Sequence, residues 1–328
     1  MIHVDGPPGS GAARLADRLA ADLHFRAEHL KPEGLPLDEL LRRELTTSPQ
    51  AVVAHGYLSL HAFAYALRSA KYRAPLGSWE LRLLDRAALC QGAVQVYCSA
   101  RPAELAALAD PREKRDEFTV AVCRDGDRLL EGFEDALRGC RLPLLRLDGP
   151  RLQEDGYQKL LAWVRTELLR QRAAVLHHQE HRSSGSVSQP LAALVGDRYP
   201  EQGHDLRDQP GARAFLRATG SSWTLHRALH AAGLDDAYLC NWHRSGDEVA
   251  DLFHLRRELE TVHPQAIVAL GTAAGRALRK LKIPHTEVTH PAHQRRFNAG
   301  AFGAYVKRLT VAVTDPPEWP PVHLLTEI

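Results

Sequence analysis

Three side chains carry the chemistry that this sequence advertises. Asp197 follows the apolar run at 191–196, Asn241 follows Tyr238-Leu239-Cys240, and His290 follows Val288-Thr289. Each run reads as a β-strand that ends on a polar residue. The carboxyl ends of strands are where open α/β sheets hold their ligands. A side-chain amide offers a donor and an acceptor together, which suits the edge of a heterocycle. An imidazole N–H suits an oxygen on which negative charge develops. A carboxylate suits a centre that turns positive. Between Asn241 and His290, residues 264–274 read as a buried strand turning into a helix at Gly271. Plainer roles stand beside these: Asn241 and Asp197 as caps of the turns that follow them, His290 as one of 18 histidines.

The elements that must position these groups fall into two halves. A chain of 328 residues has room for two domains. The first half opens with a strand from Ile2 to Val4, then Gly6-Pro7-Pro8-Gly9-Ser10-Gly11, then an amphipathic helix over 12–23. Further strands are expected at 51–54, 94–97 and 144–147, with helical stretches between them. That alternation predicts a parallel sheet with helices on both faces. Another helix is expected over 156–175. Residues 177–190 then lose almost all apolar content, and this stretch reads as a polar, flexible linker whose His177, His178 and His181 are solvated. The expected division is therefore a domain over 1–175, a linker over 176–190 and a domain over 191–328. The proline-rich tail beginning at Asp315 reads as an extended arm. The fold class is α/β, two three-layer domains with mainly parallel sheets.

Bulk properties restrict the setting. A net charge of +2 does not by itself argue for nucleic acid. A reader of DNA concentrates its basic residues on one face, and Arg213, Arg217, Arg227, Arg244, Arg276, Arg295 and Arg296 all fall in the second half; a scatter of solvated arginines explains them equally well. The five cysteines form no C-x-x-C pair and have no metal-ligand spacing. Their odd number suggests reduced thiols in a cytoplasm. No stretch has the roughly 18–20 apolar residues of a membrane span.

The segment Gly6 to Ala13 has the spacing and the strand-to-helix setting of the P-loop frame G-x-x-x-x-G-K-[ST]. It lacks the chemistry. Ala12 stands at the lysine position and Ala13 at the hydroxyl position, so the group that neutralises phosphate charge and the group that holds Mg²⁺ are both missing. Gly6, Gly9, Ser10 and Gly11 keep the loop in which backbone N–H groups approach an anion, and Arg14 offers a nearby cation. Residues 1–172 resemble thymidylate kinase and related deoxynucleoside monophosphate kinases. Ala54-His55-Gly56-Tyr57-Leu58-Ser59 corresponds to that family's Asp-Arg-Tyr-x-x-Ser motif, with His55 and Gly56 in place of the acidic and basic residues. Tyr97 to Glu104 corresponds to its strand and Pro-Glu helix start, and Leu147-Asp148-Gly149 to the segment before its last helix. The resemblance implies a pseudokinase, a fold kept for packing, for docking a protein partner or for weak nucleotide binding.

Residues 190–313 resemble the uracil-DNA glycosylase superfamily: strand-Gly-Asp, strand-Asn, strand-Gly-helix and strand-His-Pro, in that order. The resemblance implies that Asn241 reads the edge of a flipped pyrimidine and that His290, in His290-Pro291-Ala292, donates to the base O2. Asp197 supports the sugar or orients water under either of two alignments. As Gly-acid it resembles the iron–sulfur branch. As x-x-Asp-x-Tyr it resembles the common enzymes, and only that alignment gives Tyr199 the task of excluding a thymine methyl. Arg198 departs from both patterns. Phe215 corresponds to an aromatic that stacks on the base, although a core role suits it equally. Arg295 and Arg296 correspond to phosphate contacts. With Cys240 the only cysteine of this domain, no iron–sulfur cluster, metal or other cofactor is expected.

The function expected from these residues is a pyrimidine N-glycosidase acting on a uracil-like or modified base in DNA, single-stranded or flipped, beside an inactive kinase-like domain. Two rivals accompany it: an enzyme of free deoxypyrimidine nucleotides in phage-type base hypermodification, and a non-catalytic binder of modified DNA.

Overall fold

The computed structural model describes residues 1–30, 35–67, 75–110, 115–148, 153–198, 213–217 and 220–317. Tyr199 and the end of the proline-rich tail lie outside them. The chain divides into two compact units, Met1–Val175 and Leu176–Ile328.

In the first unit the strands are β1 (Ile2–Asp5), β2 (Arg26–His29), β3 (Ala51–Ala54), β4 (Val94–Cys98) and β5 (Leu144–Leu147), in the sheet order β2-β3-β1-β4-β5. All pairings are parallel. β1, β3 and β4 are buried throughout, as parallel strands covered on both faces must be. β2 is one edge, and its sequence Arg-Ala-Glu-His is mostly exposed and charged, which discourages pairing with another chain. The two faces of this sheet differ. Ile2, Val4, Val52, Val94, Val96 and Cys98 meet the helices Ala12–Leu23 and Glu154–His181 in an apolar core. The alternate positions, His3, Asp5 and Gln95, are polar and fully buried on the opposite face. The helices Tyr57–Leu67 and Gly126–Arg138 pack closely because Gly132 has no side chain; a β-carbon there would lie 3.0 Å from Ala62 Cα.

In the second unit the strands are β6 (Ala192–Arg198), β7 (Tyr238–His243), β8 (Ala266–Leu270) and β9 (Thr286–Val288), in the order β7-β6-β8-β9, again all parallel. One face carries Ala192, Leu194, Leu239, Val268 and Leu270 against helices Gly220–Ala231 and Phe302–Thr314. The other carries Ala193, Val195, Tyr238, Cys240, Ile267 and Ala269 against helices Glu248–Val262 and Thr272–Lys280. The connection after β6 leads to one side of the sheet and the connection after β8 to the other. The crevice at their carboxyl ends is thus a topological switch point.

The stretch read as a flexible linker is ordered up to the second sheet. The helix Glu154–His181 continues through residues 176–181, and Ser184 exchanges two backbone hydrogen bonds with Leu239 of β7, at 3.0 and 2.7 Å. The histidines are not solvated: His178 and His181 are buried. His177 Nε2 lies 2.7 Å from the Tyr238 hydroxyl, and His178 Nδ1 lies 3.0 Å from Ser183 Oγ. Low apolar content misled the sequence reading because these imidazoles bury with polar partners rather than apolar ones. Among the described residues no helix is long and apolar enough to cross a membrane.

Candidate functional site

The rim of the second sheet is assembled around a glycine. Gly196 in β6 stands opposite Asn241 in β7. A β-carbon at Gly196 would collide with Asn241 Oδ1 and lie 2.6 Å from the Phe215 ring. The amide and the phenyl ring therefore converge on the bare α-carbon. Phe215 holds this position in a left-handed backbone conformation, φ 55°. That conformation costs a residue with a side chain about 1–3 kcal/mol. Its carbonyl is clamped by the Ser222 hydroxyl and by His226 Nε2, the latter at 2.7 Å. The ring also lies 6.5 Å, centroid to centroid, from His290.

Asn241 is only 6% exposed, and its Oδ1 finds no hydrogen-bond partner among the described residues. A buried acceptor left unpaired costs roughly 1–3 kcal/mol, so the position is open to a donor from beyond the described residues. The end of β7 is fixed from below. Arg244 Nε donates to the Asn241 carbonyl at 3.2 Å, and its guanidinium pairs with the fully buried Glu258, which also accepts from the Tyr238 hydroxyl. Burial pushes the Glu258 carboxyl up to about 7 against the pull of Arg244. His181 Nδ1 lies 3.3 Å from the same guanidinium, and burial with its cationic neighbours lowers that imidazole to about 4.

His290 caps the helix Pro291–Phe297. Its Nδ1 accepts from the Ala292 N–H at 3.1 Å, which leaves Nε2 to carry the proton of the neutral ring. Burial lowers its pKa, opposed by the charge of Asp197. The imidazole is thus a neutral donor at physiological pH. It abuts Gly271, where φ is 93° and a β-carbon would lie 3.0 Å from His290 Cβ.

Asp197 sits at the same edge but not on the same face. Strand alternation puts Gly196 and Asn241 on one side of the sheet and Asp197 and Trp242 on the other. Trp242 Nε1 donates to Asp197 Oδ1 at 3.0 Å. The structure therefore brings Asn241, Phe215 and His290 together, and reaches them from Asp197 only through its electrostatic influence on His290. Arg295 and Arg296 are exposed on the short helix that follows His290. Trp242 was not singled out in the sequence; its place directly opposite Asp197 in the β6–β7 register was the available signal.

At the first sheet the glycine loop is present and altered. Gly9 and Gly11 adopt left-handed φ of 79° and 82°. Ser10 Oγ accepts from the Ala12 N–H at 3.4 Å, and Arg14 points to solvent from the helix Ala12–Leu23. A β-carbon on Gly9 would lie 2.6 Å from Leu108 Cδ1, so an apolar side chain already rests on the loop. Asp5, fully buried beside it, accepts from Ser59 N–H (3.0 Å), Ser59 Oγ (2.5 Å) and Gln95 Nε2 (3.0 Å). Gly56 adjoins the same carboxylate, since a β-carbon there would lie 3.1 Å from Asp5 Oδ2 and 2.7 Å from His3 Nδ1. A larger side chain has no room at position 56. His55 takes a left-handed φ of 57°, and burial lowers its pKa.

No family model and no curated protein matches the sequence. Among solved structures, the YorR protein of Bacillus subtilis, determined in complex with phosphorylated GDP, is 18% identical. That match covers 51% of this chain and 97% of YorR with a TM-score of 0.39. A protein from Pseudomonas aeruginosa assigned as polyphosphate kinase 2 is 12% identical, over 95% of this chain and 82% of that one, with a TM-score of 0.37. Likenesses of that size carry no functional argument. The fold rests on the topology itself: an α/β chain with two parallel sheets, the first opening with the strand, glycine loop and helix of a P-loop kinase-like domain.

Proposed function

We propose that the second unit is a pyrimidine N-glycosidase that takes a uracil-like or modified base, flipped from DNA or offered by a single strand. The buried, unpartnered Oδ1 of Asn241 carries this reading. A base imino N–H is the kind of donor it lacks, and the Asn241 amide can read the neighbouring carbonyl. Phe215, strained over Gly196, supplies a stacking face. His290, neutral with its proton on Nε2, is a donor for the base O2. Hydrolysis breaks the C1′–N1 bond; the electron pair stays on the base, the oxygen of water bonds to C1′, and the proton that the water gives up neutralises the departing base. Negative charge gathers on O2 as the bond breaks, which is when the His290 contact strengthens. Asp197, on the other face of the sheet, would act on the positive charge of the sugar from the rim rather than from within the Asn241 pocket. Arg295 and Arg296, both exposed, are the phosphate contacts of this reading.

One observation favours a second reading, a binder without cleavage. Asp197 is held by Trp242 on the sheet face away from Asn241, so the carboxylate is the least committed member of the set. Single-turnover assays on oligonucleotides carrying uracil or 5-substituted uracils separate the two. Base release that falls in His290→Ala and Asp197→Asn supports the glycosidase. Tight binding with no base released from any of them leaves the binding module. For the first unit the reading is that phosphate is not transferred, because Ala12 and Ala13 replace the groups that handle its charge.

A further inference from the structure

β7 is an edge strand of the second sheet, so the main-chain groups on its outer side have no strand to pair with. Ser184 takes those of Leu239, exchanging two hydrogen bonds with it. Two residues on, the Asn241 carbonyl opens to the same side. The Arg244 side chain takes it, Nε donating at 3.2 Å. The other arm of that guanidinium ends on Glu258 Oε2. We propose that Arg244 is the positioning residue of Asn241 and that a proton on Glu258 releases it, so that the base site is set when Glu258 is ionised and loosened when it is neutral. The link from Asn241 to a base rests on the reading above; the link from Glu258 to Asn241 does not.

The effect is confined to the side chain. The Arg244 main chain is held separately, because its N–H donates to Asp251 Oδ2 at 2.9 Å. The Ser245 N–H donates to Asp251 Oδ1 at 2.9 Å, and Asp251 is fully buried. The turn after β7 therefore keeps its course in either state of Glu258, and only the guanidinium carries the difference. His181 Nδ1, 3.3 Å from the guanidinium, can only accept there. Burial first, then His177, Arg244 and His254, keep that ring neutral, so it brings no charge to replace that of Glu258. A charge-assisted hydrogen bond is roughly twice as strong as a neutral one. A neutral Glu258 thus holds the guanidinium weakly, and the arm on the Asn241 carbonyl loses its stay.

Glu258 also has a place for the proton. Its Oε1 accepts from the Tyr238 hydroxyl and its Oε2 from Arg244. The same hydroxyl lies 2.7 Å from His177 Nε2, on a ring that burial keeps neutral. When Oε1 takes a proton, Tyr238 accepts from the carboxylic acid and turns its own O–H to the imidazole, so no polar group is left open. Burial favours the neutral acid and Arg244 the ionised one, and the balance stands at about 7. Glu180, from the end of the helix that carries His177 and His181, adds to the effect of burial. Cys240 of β7 lies within reach of the carboxylate charge and is kept as a thiol by its own burial.

The chain has two asparagines, Asn241 and Asn298, so the full chain labelled with ¹⁵N-asparagine reports on the site directly by NMR. Asn298→Ser assigns the signals. In the wild type the main-chain and side-chain amide signals of Asn241 are expected to shift with pH through a midpoint of about 7. Glu258→Gln, which keeps the shape and an acceptor for Arg244, is expected to hold them at their low-pH positions throughout. Arg244→Lys keeps a cation beside Glu258 but has one nitrogen and cannot also reach the carbonyl; it is expected to flatten the shift as well. The second arm is binding of a single-stranded oligonucleotide carrying uracil, measured against the same strand with an abasic site, in the His290→Ala chain. The preference for uracil is expected to fall about tenfold from about two pH units above the midpoint to about two below, where the carboxyl passes from ionised to neutral. Asn241 signals that do not move over that range, or that move alike in wild type and Glu258→Gln or in wild type and Arg244→Lys, overturn the proposal whatever the oligonucleotide does. A preference for uracil that is equal at both ends of the range overturns the link to binding. Signals that move as expected with no preference for uracil at any pH leave the anchor standing and remove the base reading instead.

Discussion

The two rims pair their buried polar groups differently. At the first, the buried Asp5 takes three hydrogen bonds from Ser59 and Gln95, and Gly56 leaves room for it, while His55 Nδ1 and Gln95 Oε1 find no partner among the described residues. At the second, Asn241 Oδ1 is buried with no partner among the described residues, and a strained Phe215 and a neutral His290 stand beside it. A polar group that is saturated by its own chain contributes stability. One left open costs stability and is placed for a ligand. The contrast explains why kinase-type chemistry is not expected of the first rim although its glycines survive. The Asp5 carboxylate lies 3.1 Å from where a β-carbon on residue 56 would stand, which leaves no room there for a larger side chain.

Mutations should separate the rims by what they damage. The largest effect is expected on catalysis. His290→Ala is expected to slow base release about 10²–10³-fold, the usual cost of one preorganised donor, with a smaller effect on oligonucleotide binding; an unchanged single-turnover rate removes His290 from the chemistry. The next effect is on stability, and it bears on the comparison directly. Asp5→Ala is expected to lower the unfolding free energy by about 3 kcal/mol, since each buried donor left unpaired costs roughly 1–3 kcal/mol. Asn241→Ala is expected to be nearly neutral in the same denaturation experiment and to abolish base binding. Equal losses of stability in the two variants would erase the distinction between the paired Asp5 and the unpaired Asn241.

A smaller effect concerns pH. The Glu258 carboxyl is raised from 4.5 to about 7 by burial. A raised folded-state pKa contributes stability that is complete below the unfolded value and is lost as pH rises through the folded one. Glu258→Gln is therefore expected to remove a decline of up to about 1.4 kcal/mol per pH unit between pH 4.5 and 7. Unfolding free energies of wild type and variant that run parallel across that window contradict the assignment. The smallest effect is expected for Trp242→Phe, which frees Asp197 Oδ1. A drop in rate of about tenfold, one charged hydrogen bond at the low end of its range, with unchanged binding, marks Trp242 as a positioning residue; rescue by Trp242→His, which restores an N–H, sharpens the case.

Much of the architecture was legible because it follows from local pattern. Apolar runs such as Ala51-Val52-Val53-Ala54 and Ala266-Ile267-Val268-Ala269-Leu270 can only be strands buried on both faces, and the helix at Ala12–Leu23 follows from its apolar spacing. The polar residues near the carboxyl ends of β6 and β7 and after β9 were legible for the same reason, although β6 runs one residue past Asp197 and β7 two past Asn241. Residues 176–190 were misjudged because composition reports apolar content, while His177, His178 and His181 are held by a hydroxyl, a serine and an arginine distant in sequence. The sequence by itself thus determined two α/β units, the altered glycine loop and the strand-end residues, because each depends on neighbours within a few positions. Only the tertiary structure decided that Asn241 Oδ1 has no partner among the described residues, that Phe215 is strained above Gly196, that Asp197 turns to Trp242 on the other face, and that Asp5 and Leu108 crowd the loop. Those facts depend on strand register and on contacts between segments far apart in the chain, and no local pattern encodes them.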